Sequence, residues 1–115
     1  MAVYAIGLFQ MTELHSDMVE YLEKIQDTLE PYHGRFIIHG GKVTPKEGEW
    51  NRDVVVIEFP DSESATNWYH SDAYQEILPL RTAHLTGEAF LVEGVEPGYH
   101  PQSKADLFRG MLDSQ

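Results

Sequence analysis

Apolar and polar positions follow two different periods along the chain, and the switches between them mark its elements. Val3 to Gln10 is short, apolar and rich in aromatic residues, which predicts a first strand buried on both faces. From Ser16 onward Met18, Leu22, Ile25 and Leu29 recur at steps of four, three and four, while Glu20, Glu23, Lys24 and Asp27 occupy the rest of the wheel. That spacing predicts an amphipathic helix, started by Ser16 or Asp17 as side-chain cap and ended by the stretch Pro31 to Gly34. Gly34 to Gly41 reads as a second strand and Val54 to Phe59 as a third, joined through a long polar hairpin that holds Pro45, Gly48 and Trp50. Pro60 closes the third strand, Asp61 or Ser62 caps a helix over Ala65 to Tyr69, and Ser71 caps a second piece through Tyr74, Ile77 and Leu78 that Pro79 is expected to break or restart. Glu88 to Glu93, between Gly87 and Gly94, supplies a fourth strand.

The order strand, helix, strand, strand, helix, strand is that of a ferredoxin-like α+β sandwich with a four-stranded antiparallel sheet. Two helices cover one face of such a sheet and leave the other bare. By the period of two, Val55, Ile57 and Phe59 of the third strand lie under the helices, with Phe36 and Ile38 of the second. The same rule puts Val54, Val56 and Glu58 on the open face, beside Arg35, Ile37 and His39 and the row Tyr4, Ile6, Leu8, Gln10. An open face this apolar exceeds what a soluble monomer normally exposes, so a second copy of the chain is expected to cover it.

Length and composition narrow the class. With 115 residues there is room for one core. Residues 1–95 form the expected domain, and residues 96–115 an extension in which Ala105, Leu107, Phe108, Met111 and Leu112 fall on one helical stripe. That stripe suits packing over a neighbouring subunit or a barrel mouth, or belongs to a partly frayed terminus. The chain has no cysteine, which removes disulfides and thiolate chemistry. A net charge of −11 disfavours nucleic acid and anionic membrane as partners. The N-terminal residues have no basic leader and no apolar run spans a bilayer, so a cytoplasmic protein is expected.

Four stretches carry a resemblance: Gly-Arg-Phe-Ile-Ile-His-Gly-Gly (34 to 41), Glu-Phe-Pro (58 to 60), Ala-Thr-Asn-Trp-Tyr-His-Ser-Asp-Ala-Tyr (65 to 74) and Leu-Arg (80 to 81). The chain resembles, over about residues 3 to 95, the family known as domain of unknown function 1330. The resemblance implies a dimeric α/β-barrel, in which two ferredoxin-like sheets close face to face, and it implies no agreed reaction. Related barrels include cofactor-free monooxygenases and muconolactone isomerases, a likeness of fold that says little about activity.

Candidate chemistry rests on a few polar residues. His39 and Glu58, with Arg35, are expected together on the enclosed face, where a histidine beside a carboxylate can move a proton and an arginine can hold an oxyanion. The alternative is an ion pair that stitches strands or subunits. Trp68 is expected in the core by default, and it is also a candidate substrate-binding residue beside Tyr69. Tyr69, Tyr74, Arg81 and His84 can rim a pocket between the second helix and the last strand, and Arg81, matching the family's Leu-Arg position, is the best anchor for a small substrate. The six histidines show no close ligand spacing, so no metal is expected, and no phosphate loop or other motif points to a cofactor. Two readings follow: a homodimer that binds a small apolar or aromatic metabolite, with proton-transfer or cofactor-free oxygenase or isomerase chemistry, or a non-catalytic binding or assembly module.

Overall fold

Alternation in the first apolar run becomes β1, Val3–Met11, the central pairing partner of two other strands. The computed structural model describes residues 1–115. After β1 come α1 (Ser16–Leu29), a single 3-10 turn (Glu30–Tyr32), β2 (Arg35–His39), β3 (Asp53–Phe59), α2 (Ser62–Tyr69), α3 (Asp72–Thr82), β4 (Leu85–Glu93) and α4 (Gln102–Asp113). The strands form one antiparallel sheet in the order β2-β3-β1-β4, which is the ferredoxin-like arrangement. No helix is long and apolar enough to cross a membrane.

The helix-side rows pair as the period of two requires: Val3 opposite Phe59, Ala5 opposite Ile57, Gly7 opposite Val55. Phe59 and Leu29 are fully buried, and Trp68, Tyr74, Ile77, Tyr21 and Ile25 close the core above the sheet. Trp68 reaches this position with its indole N–H satisfied by Thr28 Oγ1 at 3.0 Å, whose hydroxyl in turn donates to the Ile25 carbonyl. On the opposite side Tyr4, Ile6 and Leu8 meet Glu58, Val56 and Val54 on one flank, and Val92, Phe90 and Glu88 on the other. Ile38, Phe90 and Val92 of this face stay more than 40% exposed in the single chain.

Several local features depart from expectation. The cap of α1 is His15, whose Nδ1 accepts the Asp17 N–H at 3.0 Å, in place of Ser16 or Asp17. Pro79 neither breaks nor restarts α3, since the helix is capped by Ser71 and loses only the one bond a proline cannot donate. β4 begins three residues earlier than Glu88, because Leu85 and Thr86 pair with Met11 and Gln10. Gly87 makes that extension feasible: its φ is 136°, and a Cβ there would lie 1.9 Å from the Leu8 carbonyl oxygen.

The largest departure is in β2. Arg35 pairs with Glu58 and Phe36 with Ile57, but Ile38, not Ile37, pairs with Val56, and His39 with Val55. One extra residue at Ile37 is a β-bulge, and it inverts the parity of everything after it. Ile38 is therefore on the open face and His39 on the helix side, the reverse of the simple alternation.

Candidate functional site

Small residues leave a hole in the helix-side layer. Ala5 and Gly7 on β1, with Ala89 opposite Gly7 on β4, cannot fill the space beneath α1 and α3, and a cavity of about 390 Å³ lies there. Its walls are mostly apolar and aromatic, and its polar contributions come from Tyr21, Tyr74, Arg81, His39, His70 and Thr66. The Phe9 ring folds over Gly7, where a Cβ would come within 2.3 Å of it.

Arg81 stands out among these. It is 8% exposed, lies with its guanidinium 4.5 Å from the centre of the Phe9 ring, and forms no salt bridge. Its helix delivers it here because Tyr74, Ile77 and Arg81 recur at steps of three and four along the buried face of α3. Burial works against its charge, and Tyr74 and Tyr21 more than offset that effect, so the guanidinium is held above its ordinary pKa. Tyr21 and Tyr74 share a hydroxyl–hydroxyl hydrogen bond of 2.8 Å. Burial first, then the neighbouring Tyr74, pushes the Tyr21 phenol far above its usual range, and the weaker pull of Arg81 does not reverse this. The site thus presents the Arg81 positive charge beside the protonated Tyr21 phenol, an arrangement that favours an anionic oxygen on an otherwise apolar guest.

The residues singled out in the sequence separate into three places. His39, Trp68, Tyr69 and Arg81 line the cavity. His39 stacks on Phe36 with ring centres 4.2 Å apart and planes 5° apart, so it sits at the cavity's exposed β2 edge, away from any carboxylate. Trp68 is a core residue whose ring, 4.1 Å from that of Tyr74, also forms part of the wall. Arg35 and Glu58 lie on the other side of the sheet, where the Arg35 Nε donates to Glu58 Oε1 at 2.9 Å and the Tyr4 hydroxyl donates to Oε2 at 3.4 Å. The expected His39–Glu58–Arg35 cluster is thus split by the bulge: Arg35 and Glu58 satisfy each other, and His39 faces the cavity alone.

His84 is not part of the wall. Its Nε2 lies 3.0 Å from Asp17 Oδ2 and its ring stacks on His15 at 4.1 Å. Imidazole ligation places a metal in the ring plane. The two rings are only 15° from parallel, so one ion cannot lie in both planes, and the His15 Nδ1 lone pair already accepts the Asp17 N–H. The cluster fastens the start of α1 to the start of β4.

Tyr21, Phe9 and Gly7 also belong to the site, although no motif in the sequence marks them. Tyr21 carried a usable signal, a hydroxyl on the buried stripe of α1 between Met18 and Ile25, where it requires a buried partner. Phe9 and Gly7 carried none, since their proximity depends on a side-chain rotamer.

Solved structures share this architecture at low sequence identity. A protein of unknown function from Rhodopseudomonas palustris matches with a TM-score of 0.61 and 14% identity, over 84% of each chain. A dimeric ferredoxin-like protein of unknown function from Jannaschia sp. CCS1 matches with a TM-score of 0.59 and 14% identity, over 82% of this chain and 100% of that one. SnoaB, a cofactor-independent oxygenase from Streptomyces nogalater, matches with a TM-score of 0.58 and 12% identity, over 86% of this chain and 98% of its own. No curated protein sequence matches. The family model does: the strand, Phe-Pro and Trp-Tyr segments all fall within the matched residues 2–95, and the chain belongs to the family described as Domain of unknown function (DUF1330).

Proposed function

We propose that this protein is a homodimer, closed through the open faces of its two sheets, that binds a small apolar or aromatic molecule bearing an anionic oxygen in the helix-side cavity of each protomer. The observation that carries this reading is Arg81: a buried guanidinium without a carboxylate, set against an aromatic ring in an apolar cavity. A charge so placed is costly unless a counter-charge arrives. Arg81 would bind the oxyanion, the one hydroxyl of the Tyr21–Tyr74 pair whose proton is not used in their mutual hydrogen bond would donate to it, and His39 at the edge would take a proton from the guest. The same fold serves a cofactor-independent oxygenase, SnoaB, which keeps cofactor-free oxygenase chemistry within this reading. The apolar exposed face and the dimeric ferredoxin-like neighbour support the homodimer.

A non-catalytic dimeric module is the second reading, favoured by the saturated Arg35–Glu58–Tyr4 cluster on the open face. Calorimetric titration of aromatic carboxylates and phenolates separates the two. Under the first reading wild type binds a member of the panel, Arg81→Ala reduces affinity at least about tenfold, and Arg35→Ala leaves it unchanged. Absence of binding across the panel, or equal affinity in Arg81→Ala, overturns the pocket reading.

A further inference from the structure

α4 stands apart from the rest of the fold. The chain extends 56 × 35 × 24 Å, and its radius of gyration is 17.4 Å against about 13 Å for a compact chain of this length. None of the residues of α4 is buried, and Leu107, Phe108, Met111 and Leu112 are each more than half exposed. A helix of 12 residues is marginal in water unless its apolar face is packed. Its own chain offers it no packing surface in this arrangement.

We infer that α4 is an exchanged arm, which packs on the partner protomer of the homodimer proposed above, against the face of α1 that carries Val19 and Leu22. Three observations point to a second copy. The arm leaves the sheet from β4, the edge strand whose Phe90 and Val92 belong to the open face, so it is continuous with the surface that a partner covers. The body is acidic, with sixteen acidic against six basic residues over positions 1–95, whereas α4 balances Lys104 and Arg109 against Asp106 and Asp113 and so meets that body without net repulsion, its two cations forming no salt bridge. Finally, once the sheet faces are paired, the apolar surface left on the body includes Val19 and Leu22, 50% and 47% exposed, and Leu22 borders the cavity. Beside these two residues on α1, Glu20 already pairs with Lys24 at 2.8 Å, while Glu23 forms no salt bridge and is suitably placed for Lys104 or Arg109 of an incoming arm. The arm would therefore cover the cavity mouth of its partner and complete the binding site from the other chain.

The lack of cysteine makes the test simple. Full-length chains carrying Leu22→Cys and Phe108→Cys are co-expressed with tags of different mass, sedimented, and treated with a short bismaleimide. A covalent heterodimer as the main cross-linked product is expected, and Phe108→Asp without a cysteine should weaken the dimer at least about tenfold. If the mixture sediments as a dimer but yields no cross-link, or if a chain with both cysteines links only within itself, the arm assignment is overturned while the homodimer stands. Sedimentation as a monomer overturns both.

Discussion

Phe36 and His39 stack face to face at 4.2 Å although they are three positions apart on one strand, where strict alternation would set them on opposite sides of the sheet. The bulge at Ile37 removes the contradiction. It also separates two functions that would otherwise overlap: His39 turns to the cavity, and Glu58 stays on the face that a second protomer would cover.

That separation is testable. His39→Ala is expected to leave the sedimentation behaviour unchanged and to lower affinity for an anionic aromatic guest several-fold, read by calorimetric titration. Glu58→Gln should do the reverse, weakening the dimer by about 1 kcal/mol or less, as expected for an ion pair with a largely exposed arginine, without touching affinity.

The hydroxyl pair Tyr21–Tyr74 should show coupling. Each Tyr→Phe change leaves one buried hydroxyl without its partner and is expected to cost about 1–2 kcal/mol, while the double Tyr21→Phe, Tyr74→Phe chain should lose less than the sum. Urea denaturation of the four proteins measures this. Additive losses would mean that the 2.8 Å contact carries no energy.

Stability at alkaline pH follows from the same pair. The folded-state pKa of Tyr21 is raised by burial above its unfolded value of 10.0, so the unfolded chain releases its proton first as pH rises. The contribution is fully present below about pH 10 and is lost progressively above it. Tyr21→Phe should flatten that alkaline decline in melting temperature.

Gly7→Ala probes the floor of the cavity. A Cβ placed 2.3 Å from the Phe9 ring forces that ring to move, and the ring is the surface on which Arg81 rests. Affinity for an anionic aromatic guest should fall several-fold, with a loss of stability of about 1–3 kcal/mol from overpacking. Unchanged affinity would detach Arg81's role from its aromatic support.

Local patterns were enough for the elements and for the helix-facing row of β3, because burial of one side of a strand or helix imposes a period that survives without any tertiary information. Val55, Ile57 and Phe59, and the stripe Met18–Ile25–Leu29, are legible on those grounds alone. The placement of Arg35 on the same face as Glu58 is legible too, since Arg35 precedes the bulge in β2. Whether a strand contains one extra residue is decided by the register of its neighbour, so the side on which His39 lies belongs to the tertiary structure. So does the cavity, which requires Ala5, Gly7 and Ala89 to meet on adjacent strands and Tyr21, Tyr74 and Arg81 to converge from α1 and α3. Periodicity assigns each of these residues a face; only the packed sheet and its helices decide which faces meet, and how much space remains between them.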